Sequence, residues 1–126
     1  MTSEFTKEFI LECKKLLIEK KTEILNRVED ARKELNNADD YRGGDEGDQT
    51  LRAMAESEFL NMNERLRKQL VEIEMALARI ENGTYGICEE TEEPIEKERL
   101  LAIPWTRLSI EGAEIRESMM KRYANR

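Results

Sequence analysis

The stretch of sequence that decides the fold is residues 39–48, which read DDYRGGDEGD. Its glycines give the backbone the freedom to reverse direction within a few residues. The segments on either side, residues 4–40 and residues 48–82, contain neither glycine nor proline and are of similar length. We therefore predict two long helices joined by a short turn.

Both segments carry apolar residues at the seven-residue spacing that is typical of a coiled-coil seam. These residues are Ile10, Leu17, Ile24 and Ala31 in the first segment and Leu66, Ile73 and Ile80 in the second. Two long helices joined by a short flexible turn normally pair antiparallel. A parallel dimer of long helices is the alternative, but glycines midway between the segments favour the hairpin.

Capping residues predict where the helices end. Ser3 is the expected N-cap of the first helix, and Asp45 or Asp48 that of the second, because their side-chain oxygens accept exposed backbone N–H groups. Gly83 follows the last periodic apolar residue, where a left-handed C-cap is expected.

The rest of the chain differs from both helices. Pro94 and Pro104 exclude a continuous helix over residues 84–106, so we predict a small irregular lobe with a short hairpin. Apolar spacing after Pro104 predicts a final amphipathic helix of about 16–18 residues, weakened at Gly112. The predicted fold is all-α, with a coiled-coil hairpin over residues 1–83 and a lobe with a C-terminal helix over residues 84–126.

Composition excludes several classes of function. The net charge of −7 argues against direct nucleic-acid binding, because phosphate contacts need a surplus of Lys and Arg. The chain has two cysteines, Cys13 and Cys88, and no histidine, which argues against a disulfide scaffold and removes the commonest metal ligand and general base. The cysteines are expected to be reduced thiols, which indicates a cytoplasmic setting. No apolar run is long enough to span a membrane. We expect a monomer.

The acidic residues of the turn are compatible with an ordinary solvated loop, because Asp and Gly favour turns and helix caps. Their order does not match a calcium-binding EF-hand loop. Spacing alone therefore leaves the function of this turn open.

The lobe contains Tyr85-Gly86-x-Cys88, Ile95 and Arg99-Leu100-x-Ala102-x-Pro104. With these residues it resembles the DksA/TraR family of bacterial factors that bind RNA polymerase. In that family a tyrosine-glycine turn opens a four-cysteine zinc finger. The family also has the motif Asp-x-x-Asp-x-Ala at the tip of a helical hairpin, and Asp45, Asp48 and Thr50 occupy its positions at the same distance before Cys88.

The sequence departs from the family at three places. Of the four zinc ligands only Cys88 remains, because Thr91, Ser109 and Gly112 stand at the other cysteine positions. Since structural zinc needs four good ligands, we expect no zinc and no other cofactor. An apolar core is expected to replace the metal, formed by Ile87, Ile95, Leu100, Ile103, Trp105, Leu108 and Ile110.

The other departures concern the tip and the alarmone ppGpp. Thr50 stands where the family has alanine, which leaves the output of the tip open. Glu72, Ile103 and Ala113 align with basic residues of alarmone-binding members, so we expect weak or absent ppGpp binding.

The resemblance implies a non-enzymatic regulator with bacterial RNA polymerase as its partner. Its hairpin would enter the secondary channel of the polymerase and place Asp45 and Asp48 near the active site. The alternatives are a Gre-like factor that stimulates transcript cleavage and a coiled-coil module that binds no polymerase. Basic residues that could contact the channel entrance, or equally form a solvated helix face, are Arg65, Arg67, Lys68, Arg116, Lys121 and Arg122.

Overall fold

The computed structural model describes residues 5–39 and 46–125. These residues form four helices: α1 (Lys7–Asp39), α2 (Glu46–Asn82), α3 (Lys97–Ala102) and α4 (Ile110–Ala124). They contain no β-strand, and the short hairpin predicted in the lobe is reduced to a single antiparallel bridge between Ile87 and Pro94. The all-α fold class is confirmed.

The first residues of the two long helices test the predicted N-caps in part. Thr6 caps α1, because its Oγ1 accepts the Phe9 N–H at 3.2 Å, whereas Ser3 lies outside the described residues. The alternative cap Asp48 is wrong, since α2 begins at Glu46 and Asp48 lies within the helix. The other predicted cap, Asp45, lies outside the described residues.

The C-terminal end of α2 is as predicted. Gly83 adopts a φ of 76°, in the left-handed region that glycine enters without steric cost. Its N–H donates to the Ile80 carbonyl at 3.2 Å, and the Thr84 N–H donates to the Arg79 carbonyl at 2.9 Å. These two bonds form a Schellman motif, which satisfies carbonyls that the end of the helix would leave unpaired.

The chain divides into two compact units, residues 1–19 with 72–126 and residues 20–71. In the first unit, Lys14 of α1 forms an ion pair of 3.8 Å with Glu81 of α2. In the second unit, one surface depression is lined by residues 31–35 of α1 and residues 55–62 of α2. Within each unit the paired segments lie on opposite sides of the glycine-rich turn in sequence, which confirms the antiparallel hairpin.

The predicted apolar seam forms the core between α1 and α2. Leu17 and Ile73 are fully buried in the first unit, and Ile24 is fully buried in the second. Leu66, also in the second unit, is 3% exposed. Burial of each such side chain contributes about 1.5–3 kcal/mol relative to exposure.

The apolar core of the lobe is only partly as predicted. Ile95 and Leu100 are buried, but Trp105 is half-buried and Ile110 is 51% exposed, so neither fills the centre. Tyr85 does so instead. Its ring can be buried because its hydroxyl donates a hydrogen bond of 2.8 Å to the Pro104 carbonyl, which satisfies both polar groups.

None of the helices in residues 5–39 and 46–125 is both long enough and apolar enough to cross a lipid bilayer.

Candidate functional site

A tight turn over residues 86–95 presents Cys88 to the interior of the lobe. The Ile95 N–H donates to the Gly86 carbonyl and the Cys88 N–H donates to the Glu93 carbonyl, both at 2.8 Å. The Glu92 N–H closes the turn by donating to the Cys88 carbonyl at 2.9 Å. This backbone pattern fixes the position of the thiol.

The start of α4 approaches the thiol from the other side. Ser109 is the N-cap of α4, because its Oγ accepts the Gly112 N–H at 3.0 Å. The same hydroxyl donates to the Cys88 Sγ at 3.4 Å, and the Thr91 N–H donates to this sulfur at 3.5 Å. The four positions that align with the family's zinc ligands therefore meet around one sulfur atom.

The space between these four positions is too small for a further side chain. A Cβ added at Gly112 would lie 2.5 Å from the Cys88 Sγ, a separation that real Cβ atoms do not show. Gly112 is therefore required by a close approach, which explains why a residue of low helix propensity stands in this helix. The Cys88 sulfur and the backbone of α4 at residue 112 are in direct packing contact.

The residues around Cys88 do not fit a zinc ion. A structural zinc site is closed by four nitrogen or sulfur ligands, and here one thiol faces two hydroxyl side chains and a glycine. Across the described residues, no group of three or more Cys, Asp or Glu side chains is arranged to hold a metal. The centre is better described as a hydrogen-bonded thiol.

The hydrogen bonds to Cys88 change its acidity. Burial raises the pKa of the thiol, but hydrogen bonds from the side chains and backbones of Ser109 and Thr91 lower it more, from 9.0 to about 7. Cys13 behaves in the opposite way, because burial raises the pKa of its thiol. The pKa values of the two buried thiols therefore shift in opposite directions from the ordinary value.

Two arginines tie the lobe to its neighbours within the same unit. Arg107 donates two hydrogen bonds, of 2.9 and 2.8 Å, to the Glu72 carboxylate on α2. Arg116 on α4 forms ion pairs with Glu89 at 3.5 Å and Glu90 at 3.1 Å, in the turn that carries Cys88. Sequence reasoning missed both contacts, since the partners are far apart along the chain.

Aromatic residues that precede or begin α1 cover the opening turn of the lobe. The Phe5 ring lies against Gly86, whose φ of 87° also requires glycine, and fills the space a side chain there would need. Phe5 stacks on Phe9 with ring centroids 5.2 Å apart, and the Lys97 ammonium lies 5.7 Å from the centre of the Phe9 ring. The tyrosine-glycine turn is thus protected by the N-terminal segment.

The predicted tip residues are described only in part. Asp45 lies outside the described residues. Asp48 belongs to the first turn of α2, and Thr50 is exposed on the same helix. Their role as an active-site-facing tip stays a prediction.

The six basic residues singled out from the sequence are in different environments. Arg65, Arg67 and Arg122 are exposed. Lys68 and Lys121 are exposed and form ion pairs with glutamates four residues earlier on the same helix, at 3.5 and 3.7 Å. Arg116 is half-buried and engaged with the lobe, as described above.

Comparisons with known proteins agree with this architecture. Residues 83–118 match the prokaryotic dksA/traR C4-type zinc finger. The RNA polymerase-binding transcription factor DksA of Caulobacter vibrioides is 34% identical over 116 residues, which cover 90% of this chain and 75% of that protein. The structure of transcription factor DksA2 from Pseudomonas aeruginosa matches with a TM-score of 0.82 and 34% identity, over 91% of this chain and 88% of that one.

A third similarity bears on the fold alone. The structure of an RNA polymerase binding protein and transcriptional regulator from Chlamydia trachomatis matches with a TM-score of 0.52 and 23% identity, covering 92% of this chain and 95% of that chain.

The protein is a helical hairpin with a zinc-finger-like lobe, in which the turn over residues 86–95 meets α4. The lobe lacks the set of ligands that a structural zinc ion needs. The chain belongs to the DksA/TraR family. Members of this family are transcription factors and not enzymes. The resemblance inferred from the sequence is confirmed.

We predict that Gly112→Ala destabilises the protein by about 1–3 kcal/mol, because the added methyl group overpacks the contact with the Cys88 sulfur. In a Cys88→Ala background the same substitution should cost much less, since the sulfur is gone and alanine favours a helix over glycine. Urea unfolding of the four proteins measures this coupling.

Gly83→Ala is the matched control for this cycle. A Cβ at Gly83 meets no atom within 4 Å, so its cost comes only from the positive φ. That cost should be the same with and without Cys88. Equal costs of Gly112→Ala in the two backgrounds would contradict the close approach.

We predict that the Cys88 thiolate stabilises the fold at alkaline pH. Because the folded pKa lies near 7 and the ordinary value is 9.0, this contribution is lost as pH falls through about 7 and fully present above about 9. The free energy of unfolding of the wild type minus that of Cys88→Ala should therefore rise between these pH values, by up to about 2–3 kcal/mol. A difference that stays flat or falls over this range would contradict the lowered pKa.

Proposed function

We propose that this chain is a bacterial transcription regulator that binds RNA polymerase. The observation that carries the proposal is the match, over 90% of the chain, to a factor whose name states that it binds RNA polymerase. The structural match to DksA2, at a TM-score of 0.82, supports this proposal because the two folds are similar. Such a regulator acts in the bacterial cytoplasm, through its protein partner and without direct contact to nucleic acid.

The hairpin is the part that acts on the polymerase in this proposal. It enters the secondary channel and brings Asp45 and Asp48, with Thr50 beside them, near the active site to modulate initiation. Carboxylates are suited to this place, because a buried centre with Mg²⁺ and cationic side chains screens their charge poorly. In this proposal residues 1–83 form the coiled-coil hairpin that enters the channel. Residues 84–126 form the lobe at the end of the hairpin away from the tip.

The proposed regulator works without zinc and without a strong alarmone site. The donor set around Cys88 supports the first part, as described above. The second part is supported by Glu72, which stands at an aligned basic position and whose carboxylate is neutralised by Arg107. A carboxylate in an ion pair of this kind offers nothing to a phosphate group.

We predict that the variant Asp45→Asn/Asp48→Asn still co-sediments with RNA polymerase but loses its effect on transcription. Removing both charges from the tip abolishes the interaction near the active site, while the remaining surface still holds the polymerase. Transcription from purified polymerase at a responsive promoter should return to the level without factor. Asp30→Asn, an equivalent change at an exposed position of α1, is the control and should behave like the wild type.

Failure of the wild-type protein to co-sediment with polymerase would overturn the proposed partner. Full activity of the double variant would overturn the role of the tip and leave the partner standing. Shortened transcripts in stalled complexes, formed only with the wild type, would assign the tip to transcript cleavage as in Gre-like factors.

We predict that EDTA leaves the thermal unfolding of this protein unchanged. A family member with all four cysteines, measured in parallel, should lose stability because metal binding contributes to folding in such lobes. A large drop in the melting temperature of this chain, reversed by added zinc, would show that the lobe holds a metal after all.

A further inference from the structure

One face of α4 is exposed along its whole length. Glu111, Ile115, Ser118 and Arg122 follow one another at the three- and four-residue steps that place side chains on the same side of a helix. Glu114 and Met119 flank this row, and all six residues line one shallow depression. Gly112 and Arg116 contact the lobe, whereas the six residues of this face are exposed.

The face is apolar at its centre and charged at its ends. Ile115 is 37% exposed and Met119 is 46% exposed. Glu111 lies at the N-terminal end of the face and Arg122 at its C-terminal end. Within the part of the chain that the structure describes, no ion pair engages either charge.

This order of charges makes the face complementary to itself. In a dimer with twofold symmetry the same surface meets its own copy, so two α4 helices across the axis run antiparallel. With the axis beside residues 116–118, Glu111 lies opposite Arg122 of the second copy. The same register places Ile115 against Met119 of the second copy, and Glu114 opposite Lys121 of the second copy.

We propose that this face of α4 is a self-association surface, through which two copies of the chain form an antiparallel dimer. The occupant is a second copy because one symmetry operation pairs both kinds of charge and buries the exposed apolar residues together. A single pair of short helices buries less surface than a standard protein interface, so the dimer forms only at high protein concentration.

If the proposed function holds, dimer formation competes with polymerase binding. Lys121 and Arg122 are among the residues predicted to contact the polymerase, and the dimer covers both. Dimer formation and polymerase contact through these side chains are then mutually exclusive. The monomer is the form that binds, and a high concentration of the factor limits its own activity.

Charge reversal tests the pairing directly. Glu111→Arg and Arg122→Glu each place like charges opposite each other at two symmetric contacts, and each should weaken self-association about tenfold. The double variant Glu111→Arg/Arg122→Glu restores opposite charges and should dimerise like the wild type. Sedimentation velocity from about 1 µM to about 1 mM, in reducing buffer, measures the equilibrium.

Two neighbouring methionines supply the matched control. Met119 lies on the face, whereas Met120 is 73% exposed and points to another side of α4. Met119→Ala should weaken the dimer, and Met120→Ala should leave it unchanged.

A wild-type protein that stays monomeric at all these concentrations would overturn the proposal. Self-association that the single reversals do not weaken, or that the double variant does not restore, would also overturn it, because another surface would then hold the dimer. Single reversals that alter only co-sedimentation with polymerase would assign the face to the polymerase. Since the proposed function is tested by co-sedimentation and this inference by sedimentation of the factor alone, failure of one is distinguishable from failure of the other.

Discussion

The lobe depends on one close contact, between the sulfur of Cys88 and the backbone of α4 at Gly112. A Cβ at residue 112 would lie 2.5 Å from the Sγ, so the turn and the helix come as near as atoms allow. The Ser109 hydroxyl joins the two elements, because it caps α4 and also donates to the thiol. In a zinc finger the metal draws these elements together, whereas here direct packing and hydrogen bonds do so.

Ion pairs outside this contact also stabilise the lobe, since one thiol cannot replace the four bonds of a zinc site. Arg116 holds α4 to the turn through Glu89 and Glu90, and Arg107 holds the lobe to α2 through Glu72. Such half-exposed pairs are individually weak, because water screens them and ordering long side chains costs entropy. Together with a buried tyrosine and the aromatic cover over Gly86, they fix the geometry that metal coordination otherwise supplies.

The sequence predicted more of the hairpin than of the lobe. Seam residues such as Leu17, Ile24 and Ile73 were predicted correctly, because a seven-residue period repeated over a long helix leaves one face to bury. Ile110 was wrong as a core residue of the lobe, and Trp105 is buried only in part. In a segment of short turns no period exists, so hydrophobicity alone cannot tell which apolar side chain is enclosed. Tyr85 was overlooked because its burial depends on a carbonyl nineteen residues away, at Pro104.

The amino-acid sequence by itself determined the two helical segments, the turn between them, the C-cap at Gly83 and the family, through motifs whose residues are local or regularly spaced. It also determined that the chain has too few cysteines for a four-cysteine zinc site. Only the tertiary structure decided how this centre is built, with hydrogen bonds around Cys88 and a lowered pKa of its thiol. It alone decided that Ile115 and Met119 of α4 are left exposed. Both outcomes depend on distances between residues that are far apart in the chain, and a one-dimensional pattern carries no information about those distances.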